Sequence, residues 1–306
     1  MKVEKIETLK DFSRIKSRWV NLYERSNSDI LFLTWEWILI WIKTLGVNES
    51  WGILLISENN DDLAAFAYIE RKGSVQFIGS DKLSDYMDIL CISGYEELTI
   101  KAVLNFFQSS DVKKIILKRI PDGEKKSKLY AETAHTLGMY SIVSINCLSP
   151  TVDMKVNWDT FLKSRSKKLR QDMRTTYNNL SKLGEVSFEL INAGNRKPLL
   201  KILEEFHKDR QTTKVGKSLF DSYDVKSFLL KILDKEWGSL SCMKIDNKIV
   251  SIVLGFEFQN KYYYWIPSFD SSFIKYSLGK LHLKYLMELY FDKGFDRFDM
   301  LIGVEP

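Results

Sequence analysis

The stretch KYYYWIPSFDSSFIKYSLGKLHLKYLMELYFDKGFDRFDMLIGVE, residues 261–305, decides the fold. Tyr262, Tyr263, Tyr264, Trp265 and Ile266 are aromatic or β-branched and read as a strand that stops at Pro267. A polar loop follows over 268–276. Ser277 and Gly279 open an amphipathic run, with Leu281, Leu283, Leu286, Met287, Leu289 and Tyr290 at i, i+3 and i+4 spacings. Gly294, just past Lys293, is placed to end that helix, and 295–301 reads as a second strand. Strand, loop, helix, strand predicts a parallel β-α-β crossover. Such a crossover sets free backbone N–H groups and the positive end of a helix beside a strand edge, where a phosphate can be held. A crossover with no ligand has the same pattern, and this segment does not separate the two.

Working outward, the preceding residues form a three-strand meander: 239–245, a turn at Asp246-Asn247, 248–258, a turn at Asn260-Lys261, then 262–266. The same order occurs earlier in the chain. Strands are expected at 51–57, 63–71 and 74–78, then a loop at 79–90, a helix at 95–108 and a strand at 113–117. Trp51-Gly52 opens the first meander as Trp237-Gly238 opens the second. The repeat predicts a mixed α/β protein made of two copies of one unit, 1–150 and 151–306. Helices are expected at 9–24, after Thr34 as far as Gly46, and at 125–138, 161–183, 198–208 and 222–235, with 140–156 extended and 185–191 a strand. Trp35, Trp37 and Trp41 read as residues docking a helix onto a sheet.

The totals narrow the class. With 306 residues, 45% hydrophobic, the chain can bury one large core or two medium ones. No apolar run reaches the roughly 18 residues of a membrane span, and the first residues lack an apolar signal core, so a cytoplasmic protein is expected. Cys91, Cys147 and Cys242 show no metal or disulfide spacing, the histidines (His135, His207, His282) share no ligand motif, and no metal is expected. The net charge of +5 suits an anionic ligand without demanding nucleic acid, and no DNA partner is expected. The run 161–183 concentrates Lys163, Arg165, Lys167, Lys168, Arg170 and Arg174 against Asp172 alone. It reads as an anion-facing helix or as a solvated face.

The unit, helices and an antiparallel meander before strand-loop-helix-strand, is similar to the GNAT acyltransferase fold. The chain further resembles the CelD/BioF2-like acetyltransferases, tandem GNAT proteins related to the Fem peptidyltransferases. The resemblance rests on FLTWEWILIWIKTLG (32–46), GSDKLSDYMDIL (79–90), the basic helix and strand of 164–190, FHKDR (206–210), YWIPSFDSSFIKYSLGKLHL (264–283) and FDRFDMLIGVEP (295–306). Departures are a single glycine, Gly279, in the pyrophosphate signature, Leu278 where the family tends to have proline, and an end at Pro306 where the family continues with a further strand or two.

The resemblance implies two tandem GNAT-like domains and direct acyl transfer from acetyl-CoA or another acyl-CoA to an amine or hydroxyl of a small polar acceptor. Trp265 and Ile266 would meet the pantetheine, and Ser277, Leu278, Gly279 and Lys280 the phosphates. Asp299 is the first candidate base, with a salt bridge to Arg297 or Lys293 as the plain alternative. Glu305, His207 and Asp270 are further candidates. Glu96 and Glu97 at the corresponding helix start of the first copy would repel pyrophosphate. That copy is therefore expected to shape an acceptor groove through Asp85, Tyr86 and Asp88 rather than bind CoA. Arg170, Arg174 and Arg210 are candidate substrate contacts. The alternatives are a Fem-like ligase using aminoacyl-tRNA, with tRNA on the basic helix, and a non-catalytic binding protein. Either a monomer or a homodimer fits.

Overall fold

The computed structural model describes residues 1–303 apart from 82, 122, 146 and 215–217, and leaves out the side chains of 123, 124 and 211–214. The chain forms two compact units, Met1–Asn146 and Cys147–Pro306.

The first unit runs β1 (Lys2–Ile6), α1 (Leu9–Arg14), α2 (Lys16–Arg25), α3 (Trp35–Lys43), β2 (Ser50–Glu58), β3 (Asp61–Arg71), β4 (Ser74–Phe77), β5 (Leu90–Cys91), α4 (Glu96–Gln108), β6 (Lys114–Ile116) and α5 (Gly123–Thr136). Its sheet has the order β1-β2-β3-β4-β6, with β5 added to β3. Among the described residues of this unit, only β4 and β6 pair in parallel. The helix expected over 9–24 is two helices. Ile15 leaves helical geometry at ψ 10°, and its N–H is shared between the carbonyls of Asp11 and Phe12. Thr34 caps α3 by accepting the N–H of Trp37. Trp37 and Trp41 are buried, and Trp35 stacks on Phe12, so the tryptophans build the core. At the β2–β3 hairpin Asn59 and Asn60 are both left-handed, a conformation asparagine tolerates better than most residues.

The second unit runs β7 (Thr151–Asp153), α6 (Trp158–Ser164), α7 (Lys167–Leu180), β8 (Val186–Leu190), α8 (Arg196–Lys214), α9 (Tyr223–Leu233), β9 (Gly238–Ile245), β10 (Lys248–Phe258), β11 (Lys261–Phe269), a 3-10 turn (Ser271–Tyr276), α10 (Leu278–Asp292) and β12 (Arg297–Asp299). The sheet order is β7-β12-β11-β10-β9-β8, with β11 and β12 parallel. The helix expected over 161–183 is likewise broken. Arg165 is extended, and Ser166 starts α7 by accepting the N–H of Leu169. The strand expected to stop at Pro267 continues to Phe269. Proline is tolerated there because β12 no longer lies alongside, and that side of β11 needs no N–H for a ladder. Stacked Tyr262 and Tyr290 form a core with Trp158, Leu286 and Phe298. Gly255 is needed beneath Tyr262, because a Cβ there would lie 2.3 Å from the phenol oxygen.

One detail separates the units. In the second, β11 pairs with β12 only at Lys261↔Arg297, Tyr262↔Phe298 and Tyr263↔Asp299, then runs on past it. At the fork β11 carries a bulge. Leu254 faces Ile266 and Gly255 faces Tyr264, which leaves Trp265 as the extra residue. In the first unit β4 ends at Phe77, and Gly79 turns the chain with φ +76°. The returning loop closes the corresponding space. The Met87 N–H donates to the Arg119 carbonyl at 2.9 Å, and Arg119 Nε donates to the Ser80 carbonyl at 2.7 Å. Arg119 also pairs with Asp85, and β5 then joins β3 opposite Ala64 and Ala65.

Candidate functional site

In the second unit a cationic helix start follows the forked strand β11 in the chain. Ser277 precedes α10 in a left-handed conformation and makes no side-chain cap, and the first turn of α10 holds no acidic residue. Lys280 stands in that turn and Lys275 just before it. A Cβ on Gly279 would meet nothing within 4 Å. Lys275, Ser277 and Lys280 open onto a cavity of about 210 Å³. Lys275, Tyr276, Ser277 and Lys280 line one side, and Leu169, Asp172, Met173, Thr175, Thr176 and Asn179 of α7 the other. Free N–H groups at a helix start, with two lysines beside them, attract an anion such as a phosphate.

Ser277, Gly279 and Lys280 thus come together. Leu278 does not join them with its side chain, which is buried against Leu180 and Leu281. Arg170 and Arg174 are also elsewhere. Leu169, Met173, Thr176 and Leu180 form the inner stripe of α7. At about 100° per residue, Arg170 and Arg174 lie roughly opposite Asp172 and Asn179 on the helix. Arg170 instead donates to the Lys163 carbonyl at 2.8 Å, tying α7 to the end of α6. Sequence reasoning misses Lys275, Tyr276, Thr176 and Asn179. The phase of α7, taken from its leucines, would expose the last two.

At the fork, Trp265 packs against Phe256 at 4.8 Å and Ile266 is buried. Asp299, at the point where β12 leaves β11, is only 5% exposed. Its Oδ1 accepts the Leu301 N–H at 2.8 Å across a turn in which Leu301 is left-handed. Lys293, suggested as its partner, pairs with Glu257 at 3.2 Å instead.

The remaining candidates are otherwise occupied. Asp270 caps the 3-10 turn and pairs with Lys248 at 2.8 Å. Burial raises its pKa, but Lys248 and Ser272 outweigh burial and hold it below the usual range, which suits a cap rather than a base. His207 Nδ1 meets Ser218 Oγ at 2.9 Å. Burial, helped by the charge of Arg210, lowers its pKa to about 4, so it is neutral at pH 7. Arg210 lies 5.3 Å over the Phe269 ring. Glu305 lies outside the described residues. In the first unit Asp85 pairs with Arg119, Tyr86 packs edge-on to Phe32, and Asp88 pairs with Lys126 and accepts the Tyr130 hydroxyl at 2.7 Å.

A buried group that the sequence pattern does not announce is His282 on α10. It bridges Ser241 and Ser251 of the central strands at 2.8 Å on each ring nitrogen, and burial lowers its pKa to about 3. It fixes the helix against the sheet as a neutral ring.

Residues 167–306 match the family model of an acetyltransferase (GNAT) domain. Among solved structures, FemX is similar over 99% of this chain and 90% of that chain, with TM-score 0.63 and 11% identity. L-PGS from Bacillus licheniformis is similar over 95% and 79%, with TM-score 0.58 and 13% identity. A tandem GNAT protein from the clavulanic acid biosynthesis pathway is similar over 97% and 89%, with TM-score 0.51 and 8% identity. At these identities the likeness establishes the fold: a mixed α/β chain with tandem GNAT-like units. No curated protein matches the sequence. Among the described residues, no helix is long and apolar enough to cross a membrane.

Proposed function

We propose that the second unit is an acyltransferase that moves an acetyl or other acyl group from acyl-CoA to an amine or hydroxyl of a small polar acceptor, such as an amino sugar or a cell-envelope polysaccharide precursor, in the manner of the CelD/BioF2-like enzymes. The observation that carries this is the stretch of β11, residues 264–269, that runs past its last pairing with β12, followed in the chain by the cationic start of α10 and the cavity it lines. The residues present fit an acyl-CoA. Backbone groups of Trp265 and Ile266 would hold the pantetheine amides in the way a neighbouring strand would. Lys275, Lys280 and the backbone N–H groups of Leu278 and Gly279 would hold the pyrophosphate, while the Lys280 N–H already donates to the Ser277 carbonyl at 3.0 Å. The bound thioester supplies an activated acyl carbonyl. The chain's own task is to orient the acceptor and take its proton, and Asp299 is the buried carboxylate at the fork for that role.

Thermal unfolding with and without acetyl-CoA tests this. A ligand that binds only the folded state raises Tm. Acetyl-CoA is expected to raise it, Gly279→Glu to abolish the rise without lowering the ligand-free Tm, and Asp299→Asn to keep the rise while losing turnover. No rise with acetyl-CoA or with longer acyl-CoAs overturns the proposal and leaves the aminoacyl-tRNA-dependent and the non-catalytic readings.

A second reading is supported by the likeness to FemX and by the exposed cations of α6 and α7. Lys163, Arg165, Lys167, Lys168 and Arg174 have no carboxylate partner among the described residues. Here the acyl donor is an aminoacyl-tRNA whose backbone lies on this surface. Binding of tRNA that weakens steeply with added salt, with no response to acyl-CoA, would select it.

A further inference from the structure

We infer that Ser268 is a ligand-contacting residue of the second unit: its buried hydroxyl donates a hydrogen bond to a carbonyl in the arm of an acyl-CoA lying along the open stretch of β11. This rests on the acyl-CoA reading proposed above. Ser268 is 1% exposed, and its hydroxyl has no hydrogen-bond partner among the described residues. The other buried serines described in this unit are all paired. Ser218 meets His207, Ser239 meets Tyr290, and Ser241 and Ser251 both meet His282. A buried hydroxyl left unpaired destabilises a fold, and an apolar side chain would fill the position without that penalty.

Strand register explains why the fold itself does not satisfy this hydroxyl. Ser268 lies opposite Ile252, and Ile252 opposite Cys242, so the three share one face of the sheet, with Leu254 and Ile266 beside them. Ser251, the neighbour of Ile252, points to the other face with His282, and that pair does not serve the Ser268 hydroxyl. Among the described residues the row Cys242, Ile252, Ser268 has no further strand residue, because β12 last pairs with β11 at Tyr263↔Asp299. An extended arm at strand spacing, about 4.8 Å from β11, would take the next place in that row. The backbone there is short of one donor. The Asp270 N–H bonds the Val250 carbonyl at 2.9 Å, so by alternation Ser268 turns its backbone toward β10, and Pro267 and Phe269 turn theirs to the open edge. Pro267 brings a carbonyl and no N–H. A ligand carbonyl opposite it meets no backbone donor, and the Ser268 hydroxyl is the donor one residue on.

Titration calorimetry with acetyl-CoA, beside ligand-free melts, tests this on the full chain with Ser268→Ala and with Ser268→Cys, which keeps the volume and loses the strong donor. Both variants should bind acetyl-CoA about fivefold to tenfold more weakly, as expected for the loss of one neutral hydrogen bond. The ligand-free Tm of Ser268→Ala should rise, because an unpaired polar group leaves the interior. A residue that only supports the fold would move both readouts in the same direction. A ligand-free Tm that falls in Ser268→Ala, or acetyl-CoA affinity unchanged in either variant, overturns this inference alone. No acetyl-CoA binding by the parent chain overturns the acyl-CoA reading and this inference together.

Discussion

The two units build the same meander and the same helix after it, and they part at the third strand. In the first, Gly79 turns the chain out of β4, and the loop returns to fill the space that β4 leaves, held by Arg119, Asp85 and the Met87 N–H. In the second, β11 continues past its parallel partner as far as Phe269. The helix starts differ in step, with Glu96 and Glu97 on α4 against Lys280 and no acid on α10. On the proposed reading, what the loop after the third strand does and the charge of one helical turn set whether such a unit takes an extended anionic ligand.

That contrast can be broken in several places. The largest effect expected is on turnover. Asp299→Asn should lower kcat about a hundredfold, within the range ascribed to a positioned general base, while acetyl-CoA binding persists. Steady-state kinetics beside the Tm assay reads both. Next come the glycines that make room for tyrosines in each sheet. Gly255→Val drives a side chain into Tyr262, and Gly52→Val into Tyr68. Each should cost about 2 kcal/mol in denaturant unfolding, and equal costs would show that the two sheets share this device. Arg119→Met should destabilise the first unit by about 1.5 kcal/mol, because it unties Ser80 and takes the guanidinium away from half-buried Asp85. It should not create acetyl-CoA binding there, since Glu96 and Glu97 remain. A Tm rise with acetyl-CoA in the double variant Arg119→Met, Gly279→Glu would refute that.

The smallest effect is on pH. His207 and His282 both belong to the second unit, and burial lowers them from 6.5 to about 4 and about 3. A histidine depressed in the folded state favours folding fully above pH 6.5 and loses that contribution as the pH falls toward the folded value. The histidine of the first unit, His135, is exposed. Melts between about pH 7.5 and about pH 4.5 should therefore fall more steeply for the parent chain than for His282→Gln. Parallel slopes would remove His282 as the cause.

Much of the fold is legible in the sequence itself. The meanders stand out because the hairpin turns use Asn, Asp and Gly, and α10 because its leucines keep helical spacing. β1 does not, since KVEKI alternates too briefly and carries too much charge. The breaks at Ile15 and Arg165 are hidden because the apolar and basic patterns run straight across them. The residues of the candidate site split along similar lines. Ser277, Gly279 and Lys280 follow from local order in the chain. The pairing of Asp85 with Arg119 joins residues distant in sequence, and no local pattern announces it. Charge density draws attention to Arg170 and Arg174, whereas the phase of α7 presents Thr176 and Asn179 to the cavity.

β12 lies between β11 and β7, so Asp153 meets Arg297 across almost the whole second unit. During synthesis β7 leaves the ribosome first and must wait without a sheet neighbour until the third residue of β12 has been made. The strand that forms the fork is therefore a late keystone. Until it arrives, both β7 and the full length of β11 present bare edges, which is the interval in which a nascent chain is most open to mispairing or to a chaperone.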